Sequence, residues 1–281
     1  MSSELIKVNF IMDETHGKLE RLKAQLGKLD KVAIAFSGGV DSSFLLHVAH
    51  QKLGGRVLAL TALSAFYPDR ESNEAIAFAA ERGIRHITCV VDELNIAGFA
   101  ENPLNRCYLC KRNLFGVFNK TIQEENIRYL AEGSNADDTG DYRPGMIAVK
   151  ELEVLSPLRD AGLTKKEIRI LSREMGLPTW EKPSFACLAS RIPYGEKITR
   201  EKLNAVGEAE QLLLDLGFRQ ARVRHHGKLA RIEVNPEELS GVLHPEKREI
   251  IVSGVKKAGF AYVTVDLQGY RTGSMNETIS R

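Results

Sequence analysis

The sequence has few cysteines and no long apolar segment. Its four cysteines, Cys89, Cys107, Cys110 and Cys187, are too few and too unevenly spaced for the disulfide framework of a small secreted protein. No apolar run approaches the ~20 residues that a helix needs to cross a bilayer, so we expect no membrane segment. The first residues lack the apolar stretch and the small-residue cleavage site of a signal peptide, which predicts a cytoplasmic protein.

An excess of charge of one sign is also missing. Lysine and arginine number 39 against 37 aspartates and glutamates, which leaves a formal net charge of +2. A protein that works on nucleic acid usually carries a stronger basic excess, so a nucleic-acid substrate is not expected. The length of 281 residues, with 43% of them hydrophobic, allows one sizeable core and a smaller second domain.

Apolar strands alternate with amphipathic helices over the first two thirds of the chain. We predict strands at 32–36, 56–63, 84–91 and 128–131, and helices at 15–29, 41–53, 71–82, 109–123 and 164–175. Thr164 and Glu167 form a capping box at the start of the last of these helices. This alternation predicts an α/β fold with a doubly wound parallel sheet.

The amino-acid composition changes at residues 177–195, which are rich in proline, glycine and serine. Beyond them we predict a helix at 200–216, a hairpin at 221–225 and 229–234, a helix at 245–257 and a strand at 262–267. These elements predict a small α+β unit near the lower size limit of an independent domain. We therefore place one domain at 1–186 and a C-terminal α+β domain at 187–281.

Residues 37–42, with the sequence SGGVDS, form the turn between the first predicted strand and the next helix, here called the Gly-Gly turn. Glycines allow backbone N–H groups to approach an anion, and the positive end of the helix dipole points at the same place. Asp41 would repel a phosphate unless a cation lies between them, which indicates Mg²⁺. The pattern lacks the Gly-Lys-Ser/Thr of a Walker A loop.

The Gly-Gly turn resembles the SGGxDS signature of the PP-loop ATP pyrophosphatases. This resemblance implies that ATP is split into pyrophosphate and AMP, with AMP transferred to a substrate oxygen, and that the strand tip at 61–64 borders the adenosine. The candidate nucleotide-binding residues are Ser37, Gly38, Gly39, Val40, Asp41, Ser42, Ser64 and Gly133.

Three cysteines are candidates for chemistry. Cys107 and Cys110 are predicted to lie in a loop just before a helix, and Cys187 in the segment that joins the two domains. Two thiolates separated by two residues can bind one metal centre, and a third can come from elsewhere in the fold. A 4Fe–4S cluster, a zinc site and thiol chemistry without a metal all remain open on this evidence. Cys89, in an apolar strand, is expected to pack as a small hydrophobic residue.

The chain resembles the LarE family of ATP-dependent sulfur transferases over nearly its whole length. Besides the Gly-Gly turn, the resemblance rests on Asp141-Tyr142-Arg143-Pro144-Gly145, Ser184-Phe185-Ala186-Cys187-Leu188-Ala189-Ser190-Arg191, Pro193-Tyr194-Gly195, Arg222-Val223-Arg224, Ala230-Arg231-Ile232-Glu233, residues 263–267, and Gly269-Tyr270-Arg271-Thr272-Gly273-Ser274-Met275-Asn276.

The resemblance to that family implies a substrate and a sulfur source. The substrate is a nicotinic-acid-derived pyridinium biscarboxylic acid mononucleotide, whose carboxylates are adenylated and become thiocarboxylates during nickel-pincer nucleotide cofactor biosynthesis. One branch of the family sacrifices the sulfur of a single cysteine at the position of Cys187. The other branch holds a 4Fe–4S cluster with three cysteines and receives sulfur from sulfide or another donor. Because it has Cys107 and Cys110 in addition to Cys187, this sequence resembles the second branch.

The resemblance also implies roles for several residues of the C-terminal domain. Arg222 and Arg224, with Ser190 and Arg191, are expected to clamp the phosphate or carboxylates of the substrate, because guanidinium groups match such anions. Glu210 matches an acidic position near the active site of the family, although by itself it has the pattern of an exposed helix residue. The candidate catalytic residues are Cys187, Asp41, Ser190, Arg191 and Glu210. Family members form homo-oligomers, so an oligomer is expected.

Three other functions are compatible with parts of the sequence. A PP-loop tRNA thiolase would also combine a nucleotide turn with a cysteine-bound cluster, but the chain lacks a basic excess. Residues 155–178 have a sequence pattern similar to that of glutamine-fed amidotransferases and ammonia-using synthetases. This alternative function leaves the cysteines unexplained. A nucleotide-binding sensor without catalysis would keep only the ATP site.

Overall fold

The structure, a computed structural model, describes residues 3–139, 144–183, 186–271 and 274–276. Its helices are α1 (Ser3–Leu26), α2 (Val40–Leu53), α3 (Asp69–Glu81), α4 (Arg106–Glu124), α5 (Gly145–Glu151), α6 (Pro157–Asp160), α7 (Lys165–Glu174), α8 (Arg200–Asp215), α9 (Leu239–Leu243) and α10 (Pro245–Lys257). Its strands are β1 (Val32–Ala35), β2 (Val57–Leu63), β3 (Arg85–Val90), β4 (Tyr129–Ala131), β5 (Ala221–His226), β6 (Leu229–Val234) and β7 (Tyr262–Val265). None of the described helices is long and apolar enough to cross a membrane.

A parallel four-stranded sheet with the strand order β3-β2-β1-β4 carries the first core. Successive side chains of a strand point to opposite faces, so Val32 and Ile34 join one apolar cluster and Ala33 joins the other. Helices α2 and α7 contribute to the first cluster, and Phe115 and Phe118 of α4 to the second. Both faces of β1 are therefore buried, which explains its uninterrupted apolar sequence.

The strand order places a switch point beside β1. The chain passes from β1 to β2 and β3 on one side and then returns to β4 on the other. In open parallel sheets, ligands bind at the carboxyl ends of the strands where the order reverses. The Gly-Gly turn follows β1 and Gly133 follows β4, so the topology brings both to this point.

A smaller mixed sheet has the order β5-β6-β7. Strands β5 and β6 are antiparallel and form the predicted hairpin, whereas β7 is parallel to β6. Helix α8, capped by the hydroxyl of Thr199, buries Leu203, Val206 and Leu213. The predicted fold class, a parallel α/β sheet with a smaller α+β part, is confirmed.

The described residues divide into two compact units. The first lies within 1–64, 69–91 and 107–184, and the second within 65–68, 92–106 and 185–281. Two short segments from the first half of the sequence thus belong to the second unit, which composition alone did not indicate. The assignment of domains to 1–186 and 187–281 stays a prediction.

The beginning of α4 corrects one expectation. Cys107 and Cys110 were expected in a loop, but both lie in the first turns of α4, which begins at Arg106. Asn102 and Pro103 are the last residues to interrupt the helical pattern, and the amide of Arg106 donates to the carbonyl of Pro103. Cysteine and tyrosine do not break a helix, so the helix extends back over the Cys-x-x-Cys motif.

Glu167 stabilises the start of α7 and its contact with α1. Its carboxylate accepts hydrogen bonds from the backbone amide and the hydroxyl of Thr164, both at 2.8 Å, and from Lys18 Nζ at 2.6 Å. Burial disfavours the charged form, but Lys18 and Thr164 outweigh it and lower the pKa of Glu167. The carboxylate therefore adds stability above its unfolded pKa near 4.5, and this is lost as the pH falls through the lower folded value.

Replacing Glu167 by Gln should lower the free energy of unfolding by about 1 kcal/mol at pH 7, because the charge-assisted bonds are weakened. The loss should be smaller at pH 4, because this pH lies below the unfolded pKa of 4.5, where the stability from the charged form begins to be lost. Urea denaturation at both pH values measures it, with Glu174→Gln, whose carboxylate pairs with His16 at the surface, as the control. An equal loss at both pH values would contradict the assigned ionic role.

Candidate active site

The Gly-Gly turn leaves backbone donors at the carboxyl end of β1. Gly38 has φ +71°, a left-handed conformation that suits glycine. Gly39 is the N-cap of α2; it has no side chain to cap the helix, and its own N–H donates to Ser37 Oγ at 3.4 Å. The first helical hydrogen bond of α2 runs from Ser43 N to Gly39 O, so the amides before Ser43 have no partner within the helix. Such amides at a helix start are a natural site for a phosphate.

Close packing holds the Gly-Gly turn in place. A Cβ on Gly133 would lie 3.0 Å from Ser42 N and 3.2 Å from Ser42 Cα, so only glycine lets the loop after β4 pass this close to α2. A Cβ on Gly38 would lie 3.2 Å from Ala75 Cβ of α3. Ser42 Oγ accepts from the amide of Ser37 at 3.3 Å. The turn is thus supported from two sides before any ligand binds.

Asp41 combines a position at the Gly-Gly turn with a buried carboxylate oxygen that has no hydrogen-bond partner in the described part of the chain. Its Oδ2 accepts from Lys165 Nζ at 2.5 Å, whereas its buried Oδ1 has no hydrogen-bond partner among the described residues. Burial raises the pKa of Asp41, and the opposing effect of Lys165 does not cancel the rise. A buried carboxylate oxygen without a partner is unfavourable, and such an oxygen is also the ligand that Mg²⁺ prefers. The residues here fit a Mg²⁺ ion that accompanies ATP.

Two lysines that the sequence did not point to lie against the Gly-Gly turn. Lys165 contacts Asp41, and Lys182 Nζ donates to the carbonyl of Gly38 at 3.1 Å. They are separated from these partners by 124 and 144 residues in the chain. No local motif carries this information, because only the fold brings the residues together.

The end of β2 is fastened to the end of β1. Thr61 Oγ1 donates to the carbonyl of Phe36 at 2.6 Å, and His86 Nε2 lies 2.8 Å from the same hydroxyl. Burial lowers the pKa of His86, which keeps its ring neutral and suited to this structural contact. Ser64, which follows β2, lies at the same edge of the sheet as the Gly-Gly turn, and its contact with the adenosine stays a prediction.

In the second unit, Arg191 holds the backbone of Cys187. Its Nε and Nη2 donate to the two oxygens of Glu210, at 2.7 and 2.8 Å, in a fully buried pair. Its Nη1 donates to the carbonyls of Ala186 and Cys187 and to Ser190 Oγ. Burial opposes the charge of Arg191, but Glu210 outweighs it and raises the pKa of Arg191. Arg191 therefore acts on the Cys187 segment rather than as an open clamp.

Glu210 differs from the exposed helix residue that its local pattern suggests. It is buried on α8, and besides Arg191 it binds the amide of Val223 in β5 at 3.0 Å. The carboxylate thus links the segment after Cys187 to the strand that carries Arg222 and Arg224.

Arg222 and Arg224 lie side by side on β5 and are both buried. Arg224 pairs with the fully buried Glu233 at 2.7 Å and donates to the carbonyl of Ser190, yet its buried Nε has no partner among the described residues. Burial and the neighbouring Arg191 guanidinium lower the pKa of Arg222 to about 10. These three buried arginines lie beside two buried carboxylates, Glu210 and Glu233, and the excess of guanidinium groups would stabilise a bound anion.

The four cysteines form no disulfide bond with one another, and they belong to different parts of the fold. Cys107 is exposed and Cys110 half-buried in α4 of the first unit, where their spacing of three residues puts them on one helix face. Cys187 belongs to the second unit. Cys89 is buried in the apolar cluster on one face of the sheet, as predicted. Within the described ranges, no group of three His, Cys, Asp or Glu residues is arranged to hold a metal ion.

Comparisons with known proteins identify the family. The chain is 41% identical over 264 residues to an uncharacterized protein of Synechocystis sp., covering 94% of this chain and 98% of that protein. It is 34% identical over 265 residues to the pyridinium-3,5-bisthiocarboxylic acid mononucleotide synthase of Lactiplantibacillus plantarum, covering 94% and 95%. The chain belongs to the LarE family of ATP-dependent sulfur transferases. No protein-family model matches it.

A more distant similarity supports the ATP site of this LarE-family chain. A glutamine-hydrolyzing GMP synthase of Pseudomonas fluorescens is 28% identical over 181 residues, which cover 57% of this chain and 34% of that protein. The chain is thus an ATP-dependent enzyme with a PP-loop fold. Parts of the family motifs, at residues 141–143, 184–185 and 272–273, lie outside the described residues.

Replacing Asp41 by Asn should separate stability from activity. Because its folded pKa is raised, the charged form destabilises the fold at neutral pH, and this penalty is absent below the unfolded value of 3.8. We expect the melting temperature at pH 7 without nucleotide to stay equal or rise. Pyrophosphate release from MgATP with the mononucleotide acceptor should fall about a hundredfold or more.

The matched control is Asp30→Asn. Asp30 is exposed and lies just before the N-terminal end of β1, so this substitution should change neither the melting temperature nor pyrophosphate release. Retained pyrophosphate release by the Asp41 variant would move the nucleotide site elsewhere.

Proposed function

We propose that this chain adenylates the carboxylates of a pyridinium biscarboxylic acid mononucleotide and converts them to thiocarboxylates, a step in the biosynthesis of the nickel-pincer nucleotide cofactor. The observation that carries the proposal is the similarity to a protein named pyridinium-3,5-bisthiocarboxylic acid mononucleotide synthase, of which the matched region covers 95%. The Gly-Gly turn and the buried arginines support it, since the reaction needs one site for ATP and one for an anionic acceptor.

The first step needs ATP positioned at the Gly-Gly turn. The amides at the start of α2 and the hydroxyls of Ser37 and Ser42 bind the phosphates, and Lys165 adds positive charge. Oδ1 of Asp41 would hold a Mg²⁺ ion, which would neutralise the charge of the phosphates. A carboxylate oxygen of the substrate attacks the α-phosphorus, pyrophosphate leaves, and an acyl adenylate forms. Adenylation turns a poor leaving group into a good one.

The acceptor is held by arginines of the second unit. The buried guanidinium groups of Arg222 and Arg224 suit a phosphate or a carboxylate, which would satisfy Nε of Arg224 and restore the depressed pKa of Arg222. Arg191 and Glu210 hold Ser190 and the backbone of Cys187 in a fixed conformation. Arg191 is thus a positioning residue in this proposal.

We propose that Cys107, Cys110 and Cys187 bind a 4Fe–4S cluster. Thiolates are the ligands of such clusters, and two of them on one helix face suit a single centre. When bound with three protein ligands, the cluster would supply a sulfide on its remaining iron. A sulfur nucleophile attacks the carbon of the acyl adenylate, the carbon–oxygen bond breaks, and AMP leaves with that oxygen. We further propose, on the family resemblance, that the enzyme is a cytoplasmic homo-oligomer supplied with sulfide or a sulfur donor.

Replacing Cys107 or Cys110 by Ala should stop thiocarboxylate formation but leave acyl-adenylate formation within about twofold, because ATP chemistry belongs to the Gly-Gly turn. The same variants should lose the absorbance near ~400 nm of an iron–thiolate cluster after anaerobic reconstitution. Cys89→Ala, in the apolar core, is the matched control and should retain the absorbance and the product.

Mass spectrometry of native protein after turnover distinguishes the two sulfur sources. With a cluster and added sulfide, turnover is multiple and the mass of Cys187 does not change. Conversion of Cys187 to dehydroalanine after one turnover would instead place the chain in the sacrificial branch. Formation of thiolated tRNA, without product from the mononucleotide, would contradict the proposed substrate.

A further inference from the structure

Lys182 is a nearly buried cation that the mechanism above does not use. It follows a short 3-10 segment, Pro178–Glu181, and its side chain is only 12% exposed. Its ammonium contacts Gly38 O at 3.1 Å, Glu71 Oε2 at 2.7 Å and Glu74 Oε2 at 2.6 Å. An ammonium has three N–H donors, so these three contacts use all of them.

Both ends of this lysine are anchored in the first unit. Glu71 and Glu74 belong to α3, the helix on which Gly38 packs through Ala75. The backbone carbonyl of Lys182 accepts from Arg169 Nη2 of α7 at 2.8 Å. The ammonium is therefore held in one position relative to the Gly-Gly turn and does not reorient freely toward a bound anion.

The contact with Gly38 has a consequence for the next amide. The peptide between Gly38 and Gly39 is planar and trans, so its carbonyl and its N–H point in opposite directions. Holding the carbonyl at Lys182 turns the N–H of Gly39 to the other side, where it donates to Ser37 Oγ at 3.4 Å, a hydroxyl of the same proposed phosphate site. Glycines on both sides would otherwise let this peptide rotate easily.

We propose that Lys182 is a positioning residue that aims the Gly39 N–H at the terminal phosphates of ATP. It acts through the Gly38 carbonyl and keeps Glu71 and Glu74 neutralised beside a site for a polyanion. This inference rests on the proposed ATP site and adds to it a residue that orients the phosphate-binding amide.

The test compares ATP and AMP binding, each with MgCl₂, by calorimetry of the full-length native protein and of Lys182→Met. The variant should bind ATP about tenfold more weakly, the effect of one misdirected hydrogen bond to a charged group. AMP lacks the terminal phosphates, so its affinity should change less than twofold. Lys182→Arg, which can still donate to the carbonyl and the carboxylates, should recover part of the ATP affinity.

Lys166→Met, an exposed lysine on α7, is the matched control and should bind both nucleotides as the native protein does. If Lys182→Met does not fold, Glu74→Gln removes one anchor at a half-exposed position and should weaken ATP, but not AMP, by about threefold. Unchanged ATP affinity, or equal weakening of ATP and AMP, would overturn the role of Lys182. Absence of ATP binding by the native protein would instead overturn the ATP site itself, and this role with it.

Discussion

The burial of the Asp41 carboxylate at the start of α2 is the constraint on which the proposed nucleotide site of the first unit depends. The carboxylate lies where the unbonded amides of the helix favour negative charge, yet burial still raises the pKa of Asp41. Lys165 pairs with its Oδ2, Asn135 and Asp138 also lie near the carboxylate, and its Oδ1 has no hydrogen-bond partner within 3.5 Å among the described residues. Such an arrangement is poorly stabilised by itself, and in the proposed mechanism it would become favourable when a metal ion and a polyphosphate bind. The fold around it serves to keep this incomplete site in shape.

In the second unit, polar contacts of the buried Arg191 fix the backbone at Cys187. A buried ion pair often adds little net stability, because desolvation offsets much of the attraction. The Arg191–Glu210 pair is therefore better understood by what it orients: the carbonyl of Cys187, the hydroxyl of Ser190 and the amide of Val223. This frame occupies every donor nitrogen of Arg191. Arg222 and Arg224, the latter paired with Glu233, are the residues proposed to bind the anionic acceptor.

Local patterns predicted the elements that carry their own signal. The apolar strand, glycines and helix of the Gly-Gly turn are visible in consecutive residues, and so are the hairpin of β5 and β6 and the capping box of Thr164 and Glu167. The position of Cys107 within α4 was missed because the Cys-x-x-Cys motif suggested a loop, although nothing after Pro103 interrupts the helix. Lys165 and Lys182 could not be predicted, since long-range packing alone brings them to the Gly-Gly turn.

In the proposed mechanism, ATP activates a carboxylate oxygen of the acceptor before sulfur replaces it. Labelling the carboxylates of the mononucleotide with ¹⁸O and measuring the mass of the AMP formed during thiocarboxylate production tests this most directly. Adenylation followed by attack at the acyl carbon transfers one labelled oxygen to AMP for each thiocarboxylate made. Thiocarboxylate formation accompanied by unlabelled AMP would contradict the account.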